Sequence, residues 1–200
     1  MKLVLASANQ GKLREMAELI TPLGWEVTSQ AEFNIEPAAE TGSTFVENAL
    51  LKARHVSQQT NLAALADDSG LVVPSLNGAP GIYSARFAGS HGDDEANNQA
   101  LLKALKPGLN RQAYFFCAMV LMLYPDDPTP LIATARWHGT ILDAPRGGNG
   151  FGYDPLFQIR GQDITSAQLP AVAKNKQSHR GQAIGNLLNQ LKNLDLVSTC

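Results

Sequence analysis

Two runs of residues, AYFFCAMVLMLY at 113–124 and LIATARWHGTIL at 131–142, most restrict the folds open to this chain. Each is too long and too apolar to be a loop, and aromatic and β-branched residues make both strands. The PDDPTP between them is turn chemistry. The pair reads as a long antiparallel hairpin, and its apolar residues suit either a core that the rest of the chain covers or a dimer interface.

The flanks supply the cover. KLVLA (2–6) reads as a short buried strand, and Leu13, Met16, Ala17 and Ile20 then fall at helical spacing before Pro22 and Gly24. A second strand is expected at 25–30, followed by an acidic loop at 31–42. Thr44 and Glu47 form a capping box, which opens a helix to about Ser57 that buries Phe45, Ala49, Leu50, Ala53 and Val56. Short strands are predicted at 62–66 and 71–76, a turn at 77–81 and a helix at 93–106 stopped by Pro107-Gly108. After the hairpin come a glycine-rich loop at 144–155, a short strand LFQI, a loop at 160–177, and a helix capped by Ser178 that runs to about Leu194. Strand–helix units followed by long strands imply an α/β fold with a mixed sheet in one domain, 1–200, with room for a second lobe.

Composition narrows the function. The formal net charge is -2, so no basic field attracts nucleic acid. Charged residues are 17% of the chain, below the common value of roughly 25%. A polyanionic ligand must therefore be held by a local cluster of cations. No run approaches the ~18 apolar residues of a membrane span, and the first ten residues lack a signal-peptide core. Cys117 and Cys200 offer neither a disulfide framework nor a metal spacing. These features imply a cytoplasmic protein with reduced thiols.

Four segments carry chemistry. SANQGK (7–12) stands where a strand ends and a helix begins, a place where free N–H groups and Lys12 favour an anion. It is not a P-loop, and it also reads as an N-cap with a solvated lysine. Asp67 and Asp68 end the apolar run ALA, with Ser69 and Gly70 behind them. Their side chains leave a strand on opposite faces, so they are not a proton-sharing pair. Such carboxylates suit Mg²⁺, which takes one or two of them plus phosphate oxygens; Glu36 or Glu40 is available as a second ligand. The same four residues also suit a surface turn.

GGNGFGYDP (147–155) sets Phe151 and Tyr153 among glycines, where the rings are placed to stack on a planar base and Asp154 to accept from it. KNKQSHR (174–180) crowds cations at a predicted helix start, where they are unfavourable without an anion. A flexible loop and a solvated basic loop are the plainer readings. Together the four segments offer a metal, cations for phosphates and a base site, which is a nucleoside triphosphate site.

The ordered motifs are Ser7-x-Asn9-x-x-Lys12, Glu40-Thr41-Gly42-x-Thr44-Phe45-x-Glu47-Asn48-Ala49, Ala66-Asp67-Asp68-Ser69-Gly70-Leu71, Gly78-Ala79-Pro80-Gly81-x-Tyr83-Ser84-Ala85-Arg86, Phe151-Gly152-Tyr153-Asp154-Pro155 and Ser178-His179-Arg180. With them the chain resembles the Ham1-like purine nucleoside triphosphate pyrophosphatases, house-cleaning enzymes that act on ITP, dITP and XTP, in their bacterial form. The resemblance spans residue 3 to about 190. It implies an elongated mixed β-sheet with two α/β lobes, an active-site cleft between them, a homodimer and Mg²⁺ dependence. It also implies hydrolysis of the triphosphate to the monophosphate and pyrophosphate.

By the same resemblance Asp68 is the proton acceptor and, with Glu40, a metal ligand. Ser7, Ala8, Asn9, Gln10, Gly11, Lys12, Ser69, Phe151, Gly152, Tyr153, Asp154, Lys174, His179 and Arg180 are substrate-binding positions. The acidic residue that family members often carry before the lysine is Ala173 here. Two other readings stay open. A Maf-like pyrophosphatase opens with an S-x-S-x-R-R motif, where this chain has Asn9 and Lys12. A nucleotide-binding module without turnover would not need the acid cluster.

Overall fold

The computed structural model of the protein describes residues 2–7, 9–90 and 92–193. Along them run β1 (Lys2–Leu5), α1 (Gln10–Ile20), β2 (Glu26–Ser29), α2 (Phe45–Thr60), β3 (Ala63–Val72), α3 (Asp94–Ala104), β4 (Gln112–Met122), β5 (Leu131–Ile141), β6 (Phe157–Ile159), α4 (Ala171–Gln177) and α5 (His179–Asn193). The strands form one six-stranded sheet in the order β2-β1-β3-β4-β5-β6. β1 pairs in parallel with β2 and with β3, while β5 and β6 are antiparallel. Parallel neighbours need a crossover, and α1 and α2 supply the two. The sheet is therefore mixed and the fold α/β, as the sequence implies.

Local chemistry sets the helix starts. Asn9 caps α1 by accepting from Lys12 N–H at 3.0 Å. Thr44 caps α2 by accepting from Glu47 N–H at 3.2 Å. The Glu47 carboxylate reaches one residue further back than a simple capping box, taking Ser43 N–H at 2.8 Å. Asn61 ends α2 in the left-handed region, a conformation asparagine tolerates.

The chain forms two compact units. The first comprises the segments ending at Asp68, spanning Cys117–Ala135 and beginning at Arg180. Its core joins Leu3 and Leu5 of β1, Met16 and Ile20 of α1, Leu65 of β3, Met119 and Leu121 of β4, and Ala183, Ile184, Leu187 and Leu191 of α5. The second comprises Ser69–Phe116 and Arg136–His179. Its core joins Leu71, Leu101, Phe115, Trp137, Ile141, Tyr153, Leu156 and Phe157. Each large aliphatic side chain so buried contributes about 1.5–3 kcal/mol.

Two expectations are corrected. The strands predicted at 62–66 and 71–76 are one continuous strand, β3, which runs straight through Asp67-Asp68-Ser69-Gly70. Turn propensity lost because both carboxylates find cations there. Gly70 also has to be small: a Cβ would lie 2.9 Å from Ser84 Cβ and 2.5 Å from Gly81 O. The loop predicted at 160–177 instead holds α4, an unexpected helix that begins after Pro170, itself well suited to a helix N-terminus. The end predicted for α5, near Leu194, and Cys200 lie outside the described residues.

Gly139 on β5 packs against β6, where an added Cβ would meet the Phe157 ring at 2.5 and 2.8 Å. Gly139→Ala is expected to cost about 1–3 kcal/mol by overpacking, read as a melting temperature several degrees lower. An unchanged melting temperature would show that this packing gives way freely.

Candidate active site

In the first unit an ionic cluster forms around the adjacent carboxylates of β3. Strand alternation sends Asp67 and Asp68 to opposite sides, and both are buried, at 1% and 6% exposure. Asp67 Oδ2 meets Lys12 Nζ at 3.2 Å and Arg180 Nε and Nη2 at 3.3 Å each. Arg180, 2% exposed, also binds Glu15 of α1 through Nη1. Asp68 Oδ1 meets Lys52 Nζ of α2 at 3.1 Å, and Asn48 Nδ2 donates to its other oxygen at 3.3 Å. Lys52 Nζ lies 2.9 Å from Glu40 Oε1 as well.

Burial favours the neutral form of each group, and the charges beside it set the direction in which its pKa finally moves. Desolvation pushes the Asp68 carboxyl above the usual aspartate range, and Lys52 and Lys12 only partly offset it. At Lys52 the balance is reversed. Burial acts against the ammonium, but Asp68, Asp67 and Glu40 outweigh it and raise its pKa. Arg180 is likewise held charged despite complete burial, by Asp67 and Glu15.

Two carboxylates already converge on one cation at Lys52. This donor set fits a hard divalent ion, which needs only one or two carboxylates when phosphate oxygens and water complete its shell. Among the described residues no group of three or more His, Cys, Asp or Glu side chains is placed to cage a metal by itself.

In the second unit the residues of the glycine-rich loop gather around Asp154, which is 2% exposed. Asp154 Oδ2 accepts from Lys174 Nζ at 2.6 Å and from Phe151 N–H at 2.9 Å, and Oδ1 accepts from Ser166 Oγ at 2.7 Å. Lys174 Nζ also sits over the Phe151 ring, 4.8 Å from its centre, a cation–π contact. The two aromatics of the loop divide. Phe151 is half-buried, whereas the Tyr153 ring is core and its hydroxyl donates to Ser84 O at 2.9 Å. His179 stacks on Phe115, with ring centres 4.8 Å apart and planes 11° apart. Ser69 lies within β3, half-buried.

Of the positions singled out in the sequence, Ser7, Asn9, Gln10, Gly11, Lys12, Glu36, Glu40, Asp67, Asp68 and Arg180 thus belong to the first unit, and Ser69, Phe151, Gly152, Tyr153, Asp154, Lys174 and His179 to the second. Ser7 Oγ accepts from Asn9 N–H at 3.2 Å, which tightens the turn into α1. Ala8 lies outside the described residues. One inference is corrected: Lys174 and Lys176 do not open a helix but lie in the last turn of α4, where a cation is favourable. Only His179 and Arg180 begin α5, and Arg180 is neutralised by Asp67 and Glu15. Sequence reasoning missed Lys52, Asn48 and Glu15. A signal was present for the α2 pair, because Asn48 and Lys52 are polar residues one turn apart beside the apolar stripe of Ala49, Ala53 and Val56.

The family model for the Ham1 family matches residues 3–190. This chain belongs to the Ham1 family. Among Ham1 relatives, it is 52% identical over 193 residues to a protein of Vibrio cholerae named dITP/XTP pyrophosphatase, with 96% of each chain covered. It is 53% identical over 195 residues to one of the same name from Legionella pneumophila, covering 96% of this chain and 97% of that one. A solved HAM1 protein from Coxiella burnetii superposes with a TM-score of 0.88 at 46% identity, covering 96% of this chain and 99% of that one.

Asp67 and Glu15 together offset Arg180 and Lys12, so Asp67→Ala leaves two cations to one carboxylate and strands a positive charge. We expect it to lower stability by about 3–5 kcal/mol, the range for breaking a buried pair from one side. Urea denaturation reads this; a loss below about 1 kcal/mol would contradict the assignment.

Proposed function

We propose that this Ham1 chain hydrolyses ITP, dITP and XTP to the nucleoside monophosphate and pyrophosphate, removing them from the nucleotide pool. The observation that carries this reading is the pair Asp67-Asp68 in mid-strand, with Lys12, Lys52 and Arg180 drawn to it, in a chain half identical to proteins named dITP/XTP pyrophosphatase. A Maf-like enzyme is disfavoured by Asn9 and Lys12, and a module without turnover has no use for the acid cluster.

Each group then has a role. Glu40 and Asp68 would hold Mg²⁺, which supplies charge neutralisation on the phosphates and acidifies water. Asp68 accepts the proton of the attacking water. Ser7, Asn9, Gln10, Gly11 and Lys12, before and within the first turn of α1, bind phosphate, as does Ala8; helix N–H groups and the Lys12 ammonium stabilise charge on the leaving pyrophosphate. Arg180 fixes Asp67, and Asp67 in turn holds Lys12. Lys52 keeps Glu40 and Asp68 together.

The base-binding residues we propose are those around the glycine-rich loop. Phe151, with Lys174 against its face, stacks on the purine. Asp154, whose carboxylate is taken up by Lys174, Ser166 and Phe151 N–H, frames the loop. His179 or a backbone N–H donates to the 6-oxo group of hypoxanthine or xanthine, and ATP presents an amino group there instead. Such a mismatch costs orders of magnitude in kcat/KM. The family model runs through both units, which supports one enzymatic domain. Among the described residues no helix is long and apolar enough to cross a membrane. A cytoplasmic homodimer is the working form we propose.

Asp68→Asn is expected to lower kcat for ITP by about 10²–10⁴-fold while nucleotide binding persists. Pyrophosphate release measured in Mg²⁺ and in EDTA reads the metal requirement, with no release expected in EDTA. In the same assay kcat/KM for ITP and XTP should exceed that for ATP by at least about 10²-fold. Full turnover by the asparagine variant, or equal rates for ITP and ATP, would overturn the mechanism or the specificity respectively.

A further inference from the structure

Helix α3 carries Asp94 at its start and Asn98 one turn later, so both side chains leave the same face. Both reach a single residue of the glycine-rich loop. Asp94 Oδ2 accepts from Gly152 N–H at 2.7 Å, and Asn98 Nδ2 donates to Gly152 O at 2.9 Å. These two groups lie in the peptide planes on either side of the Gly152 Cα. Holding both planes fixes the rotation about each bond at that Cα. Gly152 is in the left-handed region, with φ at 64°, and a Cβ there would meet nothing within 4 Å. Glycine is thus required by the backbone conformation, not by space. The Asn98 amide also donates to Asp94 O at 2.8 Å, so its NH₂ faces two carbonyl oxygens and its orientation is set.

The clamped residue stands between the two groups that matter for a base. Phe151 precedes it, and Asp154, which ties Phe151 N–H to Lys174, comes two residues later. A change of backbone rotation at Gly152 would swing the Phe151 ring away from Lys174. Asp94 is exposed and contributes nothing to the apolar core. Its contact with Gly152 is charge-assisted, a class of hydrogen bond stronger than a neutral one.

We propose that Asp94 and Asn98 are positioning residues for the purine: by locking Gly152 they hold Phe151 in the orientation that stacks on the base. The inference rests on the proposed base-binding role of Phe151. Asp94→Ala removes the acceptor, and Asn98→Asp turns a carboxylate toward two carbonyl oxygens at nearly constant shape. Asp94→Asn keeps an acceptor for Gly152 N–H.

The test is steady-state hydrolysis of ITP with Mg²⁺ by these three variants and by Phe151→Ala, with amide hydrogen exchange of the 147–156 segment. For Asp94→Ala and Asn98→Asp the expected result is a KM for ITP raised about five- to tenfold with kcat within about twofold, the pattern of lost uniform binding. Faster exchange in that segment should accompany it, and Asp94→Asn should stay within about twofold of the parent KM. If Phe151→Ala raises KM while Asp94→Ala and Asn98→Asp leave KM and exchange unchanged, the clamp is overturned and the base reading stands. If Phe151→Ala leaves KM unchanged, the base reading fails and the inference falls with it.

Discussion

Two carboxylates side by side in one buried strand are tolerable only if each finds its own positive partners. That constraint organises the first unit. The alternation of β3 separates the two charges onto opposite sides, and each side has recruited cations from different helices. Asp67 draws Lys12 from α1 and Arg180 from α5, and Asp68 draws Lys52 from α2. Because α1 and α2 are the crossovers that keep β1, β2 and β3 parallel, the elements that build the sheet also carry the charges. Fold and site are thus one solution to the same problem.

The cluster is stable without being inert. Among the groups named, Glu15, Glu40, Asp67 and Asp68 stand against Lys12, Lys52 and Arg180, four negative charges to three positive. Burial strengthens every interaction among them, since a lower effective dielectric screens charge less than water does. A polyanion entering with a divalent ion would meet groups already oriented. Little reorganisation is then needed, which is the advantage of a preorganised site in phosphoryl chemistry. The second unit shows the same economy at Asp154, where one buried carboxylate fixes a lysine, a serine and the backbone of the aromatic loop.

Much of this was legible in the sequence. Helix periodicity in α1, the cap at Thr44 and the apolar lengths of β4 and β5 were readable because each depends on neighbours in the chain. What was not readable depends on distant partners. Asp67-Asp68-Ser69-Gly70 has the local signature of a turn, and only cations from three helices keep it in a strand. Lys52 has the look of an ordinary surface lysine because its carboxylate partners lie 12 and 16 positions away. Helix α4 escapes sequence reading because Ala171–Gln177 is short and mostly polar, so no periodic stripe announces it. The cations at 174 and 176 fall just before the helix start that Ser178 suggests, yet they end one helix and do not begin another. Among the aromatics, Tyr153 is indistinguishable from Phe151 by sequence, yet its ring is core.

The central claim is that Glu40 and Asp68 together receive the divalent ion that accompanies a nucleoside triphosphate. Paramagnetic broadening tests it most directly. Mn²⁺ added in place of Mg²⁺, with a non-hydrolysable ITP analogue, should broaden the backbone amide signals around Glu40 and Asp67–Ser69 first and most strongly. Broadening centred on any other part of the chain, or none at these residues at saturating nucleotide, would contradict the account.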